Sequence, residues 1–251
     1  LMAGASHRVV TETSRIAMPE QTIGLYPDVG GSYFLHKMPQ GVGLFLGLTS
    51  ASINCEDARF VSLADHFIDS TKYDAMLAQI LAAKWGKTAS LNHERLTKLL
   101  TDLDNQSARM PKGNIKANLA TIQKLAELNT LQEQVDYILG LATDDKWLQR
   151  AQKSLKHGCP LSCALVSEQL KASKGKSLLA CFKMELGMSV RAGEVGEFQE
   201  GVRALLIDKD GAPNWQYKTL NDVPQAIIES FFANRFDENH PLNGLDTPTH
   251  T

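Results

Sequence analysis

The pattern of apolar and polar positions divides the chain into a short extended start and a long helical remainder. Residues 8–13 alternate β-branched with polar or charged side chains, which predicts a strand. Residues 66–68 predict a second short strand. Residues 15–18 predict a third extended piece, which Pro19 ends.

Helical periodicity dominates after the first thirty residues. Residues 32–38 and 42–48 predict two apolar helices, the first capped by Asp28, and Asn54 predicts the N-cap of a third. Further along, apolar residues return every three or four positions, as on one face of an amphipathic helix. The later helices are predicted at residues 119–128, 131–141, 145–155, 161–170, 178–190 and 198–207.

The predicted strands are too few to form a stable β-sheet by themselves. Two or three short strands do not form a stable sheet with both faces covered. The chain also opens Leu1-Met2-Ala3-Gly4-Ala5, with neither an initiator methionine nor an N-cap residue ahead of the apolar run. We therefore expect that the sequence begins inside a longer protein and that its strands pair with an N-terminal part of the same chain.

Composition narrows the class of protein. Of 251 residues, 43% are hydrophobic and 22% charged, which is ordinary for a globular protein and argues against extensive disorder. The net charge of −2 gives no electrostatic footprint for nucleic acid. No apolar run approaches the roughly 20 residues that span a bilayer, so no membrane partner is expected. The four cysteines lack metal or redox spacing, and no two histidines have helical ligand spacing, so no metal site is expected.

Two carboxylates lie in an apolar loop that is interrupted by glycine and proline. Glu20 and Asp28 are close in sequence, within residues 17–31. Apolar surroundings raise the pKa of a carboxyl group, and a second carboxylate nearby raises it further, so such a pair divides acid and base roles near neutral pH. The alternative is structural: Asp28 caps the following helix and Glu20 favours a first helical turn.

Two motifs carry a family resemblance. The first reads Met18-Pro19-Glu20, then Gly24, then Pro27-Asp28-Val29-Gly30-Gly31, and the second covers residues 200–210 and 213–215. Both resemble signatures of the crotonase (enoyl-CoA hydratase/isomerase) superfamily, and they are most similar to those of the 3-hydroxyisobutyryl-CoA hydrolases. The resemblance extends from residue 1 to about residue 220 and is weakest through residues 85–150.

The resemblance implies an α/β fold. Residues 1–70 would be the closing part of a crotonase-type ββα spiral core with the active-site loop. Residues 71–236 would be a mostly helical C-terminal region, and residues 237–251 a flexible tail. A Gly-rich turn ahead of Leu1, with an earlier strand, would supply the two N–H donors of an oxyanion hole.

The resemblance also implies a reaction and its residues. A short branched 3-hydroxyacyl-CoA would be hydrolysed, as in valine breakdown, with coenzyme A as part of the substrate and no further cofactor. Glu20 and Asp28 would be catalytic. The substrate-binding residues would be Gly30 and Gly31, which let ligand and backbone approach closely, and Tyr33 and Phe34, which wall the acyl pocket.

Two alternatives remain open at this point. The first is an enoyl-CoA hydratase or isomerase reaction on the same scaffold, although such enzymes resemble Pro-Gly-Ala-Gly-Gly where this chain has Pro27-Asp28-Val29-Gly30-Gly31. The second is a non-catalytic helical interaction protein. The resemblance leaves a homo-oligomer open and implies a cytoplasmic location, or the mitochondrial matrix in a eukaryote.

Overall fold

The structure, a computed structural model, describes residues 2–245 and is mostly helical there. Leu1 and residues 246–251 lie outside the described residues, and with them the end of the tail expected at residues 237–251. The strands in the described range are β1 (Val9–Val10) and β2 (His66–Phe67). The α-helices found there are α1 (Gly31–His36), α2 (Val42–Thr49), α3 (Cys55–Phe60), α4 (Tyr73–Ala82), α5 (Ala89–Asn105), α6 (Leu119–Gln123), α7 (Leu131–Gly140), α8 (Lys146–His157), α9 (Pro160–Ala172), α10 (Leu178–Val195), α11 (Glu197–Val202) and α12 (Gln225–Phe232).

The extended segments are shorter than their sequence patterns predict. Strand β1 pairs in parallel with β2, so that Val9 lies opposite His66. A turn in which the N–H of Ser14 donates to the carbonyl of Thr11 ends the first strand early. The third extended piece is reduced to one antiparallel bridge between Ile16 and Ile53.

The chain divides into two compact units. One contains the residues up to Ile16 together with Ser52–Leu119, and the other contains Ala17–Ala51 together with the residues from Ala120 onwards. The division at residue 70 that the sequence suggests stays a prediction. None of the described helices is long and apolar enough to cross a membrane.

The first unit packs the two strands against helices α4 and α5. One buried cluster in this unit contains Ile68, Leu100 and Leu103. Helix α3 begins, as predicted, at the N-cap Asn54, whose side chain accepts the N–H of Asp57 in a capping box.

The second unit has a buried core between α9, α10 and α12. Tyr26 and Met188 are fully buried in it, and Phe231 of α12 is 2% exposed. Helix α12 had no counterpart in the sequence prediction. The segments predicted at 161–170 and 178–190 form α9 and α10, and α10 continues five residues further.

Helix α2 is apolar on nearly every side because it packs against α1, α8 and α9. Its contact with α1 is close: a Cβ atom on Gly43 would lie 2.0 Å from the carbonyl oxygen of Leu35. No side chain fits in that space, so glycine is required at position 43. The helix predicted at 42–48 is confirmed, one residue longer.

Candidate active site

Glu20 begins a short 3₁₀ helix, Glu20–Ile23, in the second unit. Gly24 ends this helix in the left-handed conformation, with φ +72°, and a Cβ atom there would lie 2.4 Å from the carbonyl oxygen of Glu197. The Glu20 side chain is half-buried, and its Oε2 atom is buried without a hydrogen-bond partner. An unpartnered carboxylate oxygen is costly in a fold, and it is free to act on a ligand.

The environment of Glu20 changes its protonation. Burial raises the pKa of Glu20 from 4.5 to about 7, against an opposing hydrogen bond from its own backbone N–H. The charge of Asp28 raises the pKa of Glu20 further. The two carboxylates therefore lie within electrostatic range of each other, and Glu20 changes its charge close to neutral pH.

Asp28 lies in a strained turn ahead of α1. The following Val29 has φ +52°, which a β-branched residue rarely adopts, and its side chain is 70% exposed. Gly30 follows with φ +90°, and the N–H of Gly31 donates to the carbonyl of Asp28 over 2.8 Å. Burial raises the pKa of Asp28 also, so both acids hold their protons more readily than in water.

Asp28 is not the cap of the first helix, so that sequence prediction is wrong. Helix α1 begins at Gly31 with Gly30 as its N-cap, and the N-cap offers no side chain. The cap comes instead from α10. Oε2 of Glu185 accepts the N–H of Gly30 over 2.7 Å, and Oε1 accepts the N–H of Ser32 over 2.9 Å.

Glu185 is a third acid beside the pair. Its side chain is 3% exposed, and burial raises the pKa of Glu185 although its hydrogen bonds oppose the shift. The negative charge of Asp28 raises the pKa of Glu185 slightly as well. The hydroxyl of Tyr26 donates to the backbone carbonyl of Glu185 over 2.6 Å and forms a 2.7 Å hydrogen bond with the hydroxyl of Ser189.

Gln169 on α9 holds the same turn from a second side. Its Nε2 donates to the carbonyl of Pro27 over 2.5 Å and to the hydroxyl of Ser32 over 2.7 Å. Gln169 is fully buried, and its Oε1 has no hydrogen-bond partner. The turn that carries Asp28 is thus fixed at both ends by buried polar side chains.

The glycines leave little room around this turn. A Cβ atom on Gly30 would lie 2.9 Å from Cε2 of Phe34, with Leu178 and Phe182 of α10 just beyond. A Cβ atom on Gly31 would lie 2.8 Å from the Pro27 side chain and 3.0 Å from that of Met18.

Tyr33 and Phe34 lie on the first turn of α1, both half-buried. Their rings meet edge to face with centroids 5.7 Å apart, and Nζ of Lys37 lies 3.8 Å from the centroid of the Tyr33 ring. Apolar side chains therefore adjoin Gly30, two residues beyond Asp28. The roles assigned to Tyr33, Phe34, Gly30 and Gly31 stay predictions.

Sequence reasoning missed Glu185, Gln169 and Tyr26 as parts of this site. The first two lie more than 130 residues beyond the loop, inside helical patterns that predict packing alone. A polar residue on the buried side of a predicted helix is the one signal that could have found them. Among residues 2–245, no three histidine, cysteine or acidic side chains are grouped so that they could hold a metal ion.

Comparison with known proteins connects this geometry to a family. The family model described as enoyl-CoA hydratase/isomerase matches residues 1–232. The chain is 32% identical over 226 residues to the mitochondrial 3-hydroxyisobutyryl-CoA hydrolase of Dictyostelium discoideum. This match covers 90% of this chain and 58% of that protein. The mitochondrial 3-hydroxyisobutyryl-CoA hydrolase of Homo sapiens is 32% identical over 228 residues, covering 90% of this chain and 57% of the relative.

Solved structures share the fold. An enoyl-CoA hydratase from Rhodobacter sphaeroides superposes with a TM-score of 0.75 at 30% identity, covering 92% of this chain and 63% of that one. A carnitinyl-CoA dehydratase from Mycobacterium thermoresistibile superposes with a TM-score of 0.80 at 26% identity. The match covers 96% of this chain and 65% of that one. The expected crotonase-type fold is confirmed to this extent, and the expected additional strands stay a prediction. The chain spans less than two thirds of the length of these relatives.

Proposed function

Because the chain belongs to the enoyl-CoA hydratase/isomerase family, we propose that its protein hydrolyses the thioester of a short branched 3-hydroxyacyl-CoA, such as 3-hydroxyisobutyryl-CoA. The products are the free acid and coenzyme A. The curated relatives that bear the name 3-hydroxyisobutyryl-CoA hydrolase support this substrate class, at 32% identity over most of the chain.

One observation carries the proposal: a half-buried glutamate with an unpartnered oxygen and a pKa of about 7 lies within electrostatic range of a second acid. A base works best when its pKa is close to the working pH, because it is then both deprotonated and still basic. Glu20 meets that condition. A glutamate in water, with a pKa of 4.5, would be a much weaker base.

Glu20 acts on the carbonyl carbon of the thioester in one of two ways. As a nucleophile, its carboxylate adds to the carbon and expels the thiolate, leaving an anhydride that water then opens. As a general base, it takes a proton from water while the water oxygen adds to the same carbon. In both cases one water is consumed and the C–S bond breaks.

Asp28 serves the leaving group or the acyl chain. Burial raises the pKa of Asp28, so its carboxyl holds a proton more readily than a free aspartate does. As an acid it would donate this proton to the departing thiolate and so form the free thiol of coenzyme A. Its alternative role is to orient the 3-hydroxyl of the acyl group by a hydrogen bond. The exposed side of the turn at Val29 leaves that region open to a ligand.

The remaining parts of the proposal come from the resemblance. Two backbone N–H groups from a Gly-rich turn ahead of Leu1 and from an earlier strand would hold the developing oxyanion, a contribution of about 3–4 kcal/mol per donor. We place the reaction in valine breakdown, in the cytoplasm or, in a eukaryote, the mitochondrial matrix. No cofactor beyond the coenzyme A of the substrate enters the scheme, and a homo-oligomer stays a prediction.

The test supplies the full-length protein with 3-hydroxyisobutyryl-CoA and follows release of free thiol. Isobutyryl-CoA, which lacks the hydroxyl, measures what the 3-hydroxyl contributes. Crotonyl-CoA, assayed for loss of its double bond, detects the hydratase alternative. Thiol release that is fastest with the 3-hydroxy substrate supports the proposal; hydration without thiol release supports the alternative. A protein that neither releases thiol nor hydrates crotonyl-CoA, that does not bind acyl-CoA and that retains a stable protein partner in a pull-down supports the interaction-protein alternative.

A further inference from the structure

We propose that Glu185 is a positioning residue for this site: its carboxylate holds the Asp28-Val29-Gly30 turn in its left-handed conformation and so fixes the backbone from which Asp28 projects. This role rests on the proposed function, since it concerns the same reaction. It extends the catalytic machinery to helix α10, outside both sequence motifs.

The turn at Val29 has a strained backbone, so contacts from elsewhere in the fold must stabilise it. Val29 at φ +52° adopts a conformation that is unfavourable for a β-branched residue, since its Cβ approaches the following carbonyl. The Val29 side chain is 70% exposed, so its own packing returns little of that cost. Strained residues persist only where surrounding contacts fix them, and they are concentrated at functional sites.

Glu185 provides such contacts from one carboxylate. Its two oxygens each accept one backbone N–H, from Gly30 and from Ser32, so the carboxylate spans the end of the turn and the start of α1. The charge strengthens both bonds in a site that excludes water. If the turn relaxed to a right-handed form, these N–H groups would rotate away and leave a buried charge unpaired, which is expensive.

Further buried groups fix Glu185 and the opposite end of the turn. The hydroxyl of Tyr26 ties the backbone of Glu185 at its carbonyl. Gln169 donates to the carbonyl of Pro27, the residue directly before Asp28. Two helices thus hold the residues on either side of Asp28, while the Asp28 carboxyl is left to the reaction.

This arrangement differs from that of a purely structural acid in the first unit. Asp57 is fully buried, and its two oxygens accept the backbone N–H groups of Asn114 and Ile115. It matches Glu185 in burial and in the type of bonds, but it belongs to the unit that contains neither Glu20 nor Asp28. Asp57→Asn is therefore the matched control for Glu185→Gln.

The experiment compares the two variants in the full-length protein with 3-hydroxyisobutyryl-CoA, well below both melting temperatures. A displacement of about 1 Å in a catalytic group costs on the order of 100-fold in rate. We expect both variants to lower Tm by similar amounts. Glu185→Gln is also expected to lower kcat by 10- to 100-fold with little change in KM, whereas Asp57→Asn leaves kcat unchanged. A wild-type kcat in Glu185→Gln, or an equal loss of kcat in Asp57→Asn, overturns the assignment.

A second pair of variants covers the case in which Glu185→Gln does not fold. Gln169→Leu keeps the side-chain volume and releases the carbonyl of Pro27, and it is expected to lower kcat more than it raises KM. Val29→Asn, placed in whichever background is folded, is expected to restore part of the lost kcat because asparagine accepts the left-handed conformation. Unchanged kcat in Gln169→Leu, or no restoration by Val29→Asn, contradicts the positioning role. A wild-type protein that releases no thiol contradicts the proposed function instead.

Discussion

The backbone N–H of Gly30 donates a 2.7 Å hydrogen bond to Oε2 of Glu185, a residue 155 positions further along the chain. The bond joins the loop of the two motif carboxylates to a helix that neither motif contains. Because Glu185 also accepts the N–H of Ser32, the start of α1 and the turn before it are held as one piece. The geometry around Asp28 therefore depends on tertiary contacts with α10.

The pH dependence of the reaction reports the protonation of Glu20. As nucleophile or base it must be ionised, and its pKa lies at about 7. We expect log(kcat/KM) to rise with a slope of one below pH 7 and to rise no further above it. Stopped-flow thiol release between pH 5 and 9 measures this. A limb centred near 4.5, the value for an unperturbed glutamate, would contradict the buried environment described for Glu20.

The same shift predicts that Glu20 destabilises the fold at high pH. Its folded pKa of about 7 exceeds the ordinary 4.5, so the folded state holds a proton that the unfolded chain has lost between these values. Stability is therefore fully present below pH 4.5 and decreases as the pH rises through 7. Glu20→Gln removes this effect, so the variant is expected to gain about 3 kcal/mol in the free energy of unfolding above pH 8 and nothing below pH 4.5.

Melting temperatures of wild type and Glu20→Gln across this pH range test that prediction. The difference in Tm is expected to grow to several degrees between pH 5 and 8. Glu229→Gln, at an exposed position on α12, is the control and is expected to give no such trend. A constant difference at every pH would mean that the substitution acts through packing rather than through the charge of Glu20.

Replacement of Asp28 separates its two proposed roles. Asp28→Asn keeps the shape but removes the proton donor, and we expect kcat to fall by roughly 10²- to 10³-fold. Asp102→Asn, at an exposed position on α5, is the control. If Asp28 protonates the thiolate, Asp28→Asn is expected to slow thioesters of a more acidic thiol less than it slows the coenzyme A thioester. If Asp28→Asn lowers kcat equally for all leaving thiols, and only with 3-hydroxy substrates, then Asp28 orients the 3-hydroxyl of the acyl group instead.

Alanine substitutions at two glycines with left-handed backbones separate the effect of steric crowding from that of backbone strain. Gly30→Ala places a Cβ 2.9 Å from the Phe34 ring, whereas Gly175→Ala at φ +75° meets nothing within 4 Å. Both variants suffer the left-handed penalty of roughly 1–2 kcal/mol. Only Gly30→Ala is expected to lose further stability and most of kcat. Thermal melts and turnover measured together test this, and full activity in Gly30→Ala would show that the turn tolerates displacement.

The sequence predicts local features well where a local cause acts. The N-cap at Asn54 forms as predicted, because its side chain and that of Asp57 satisfy each other's backbone N–H groups within four residues. Helix α2 forms as predicted because an apolar run of that length must be buried. Strand β1 ends after two residues, since the Thr11–Ser14 turn leaves the ladder, and alternation alone does not reveal that turn.

The site is predicted only in part. The apolar loop predicts that the pKa of Glu20 and the pKa of Asp28 are raised, but the value of about 7 for Glu20 depends on how deeply the folded chain buries its side chain. The prediction that Asp28 caps α1 fails because Glu185 supplies the cap from α10. Hydrogen bonds between residues so distant in sequence depend on tertiary packing, which no periodicity encodes.

The most direct test of the account is release of free thiol from 3-hydroxyisobutyryl-CoA by the full-length protein and by its Glu20→Gln variant, compared at pH 8. At this pH Glu20 is ionised, and the variant keeps its size and loses only the carboxylate. We predict that the wild type releases one thiol for each acid formed and that kcat of the variant is lower by several orders of magnitude, with the variant still folded and still binding the substrate. Turnover by Glu20→Gln at a rate near that of the wild type would contradict the account.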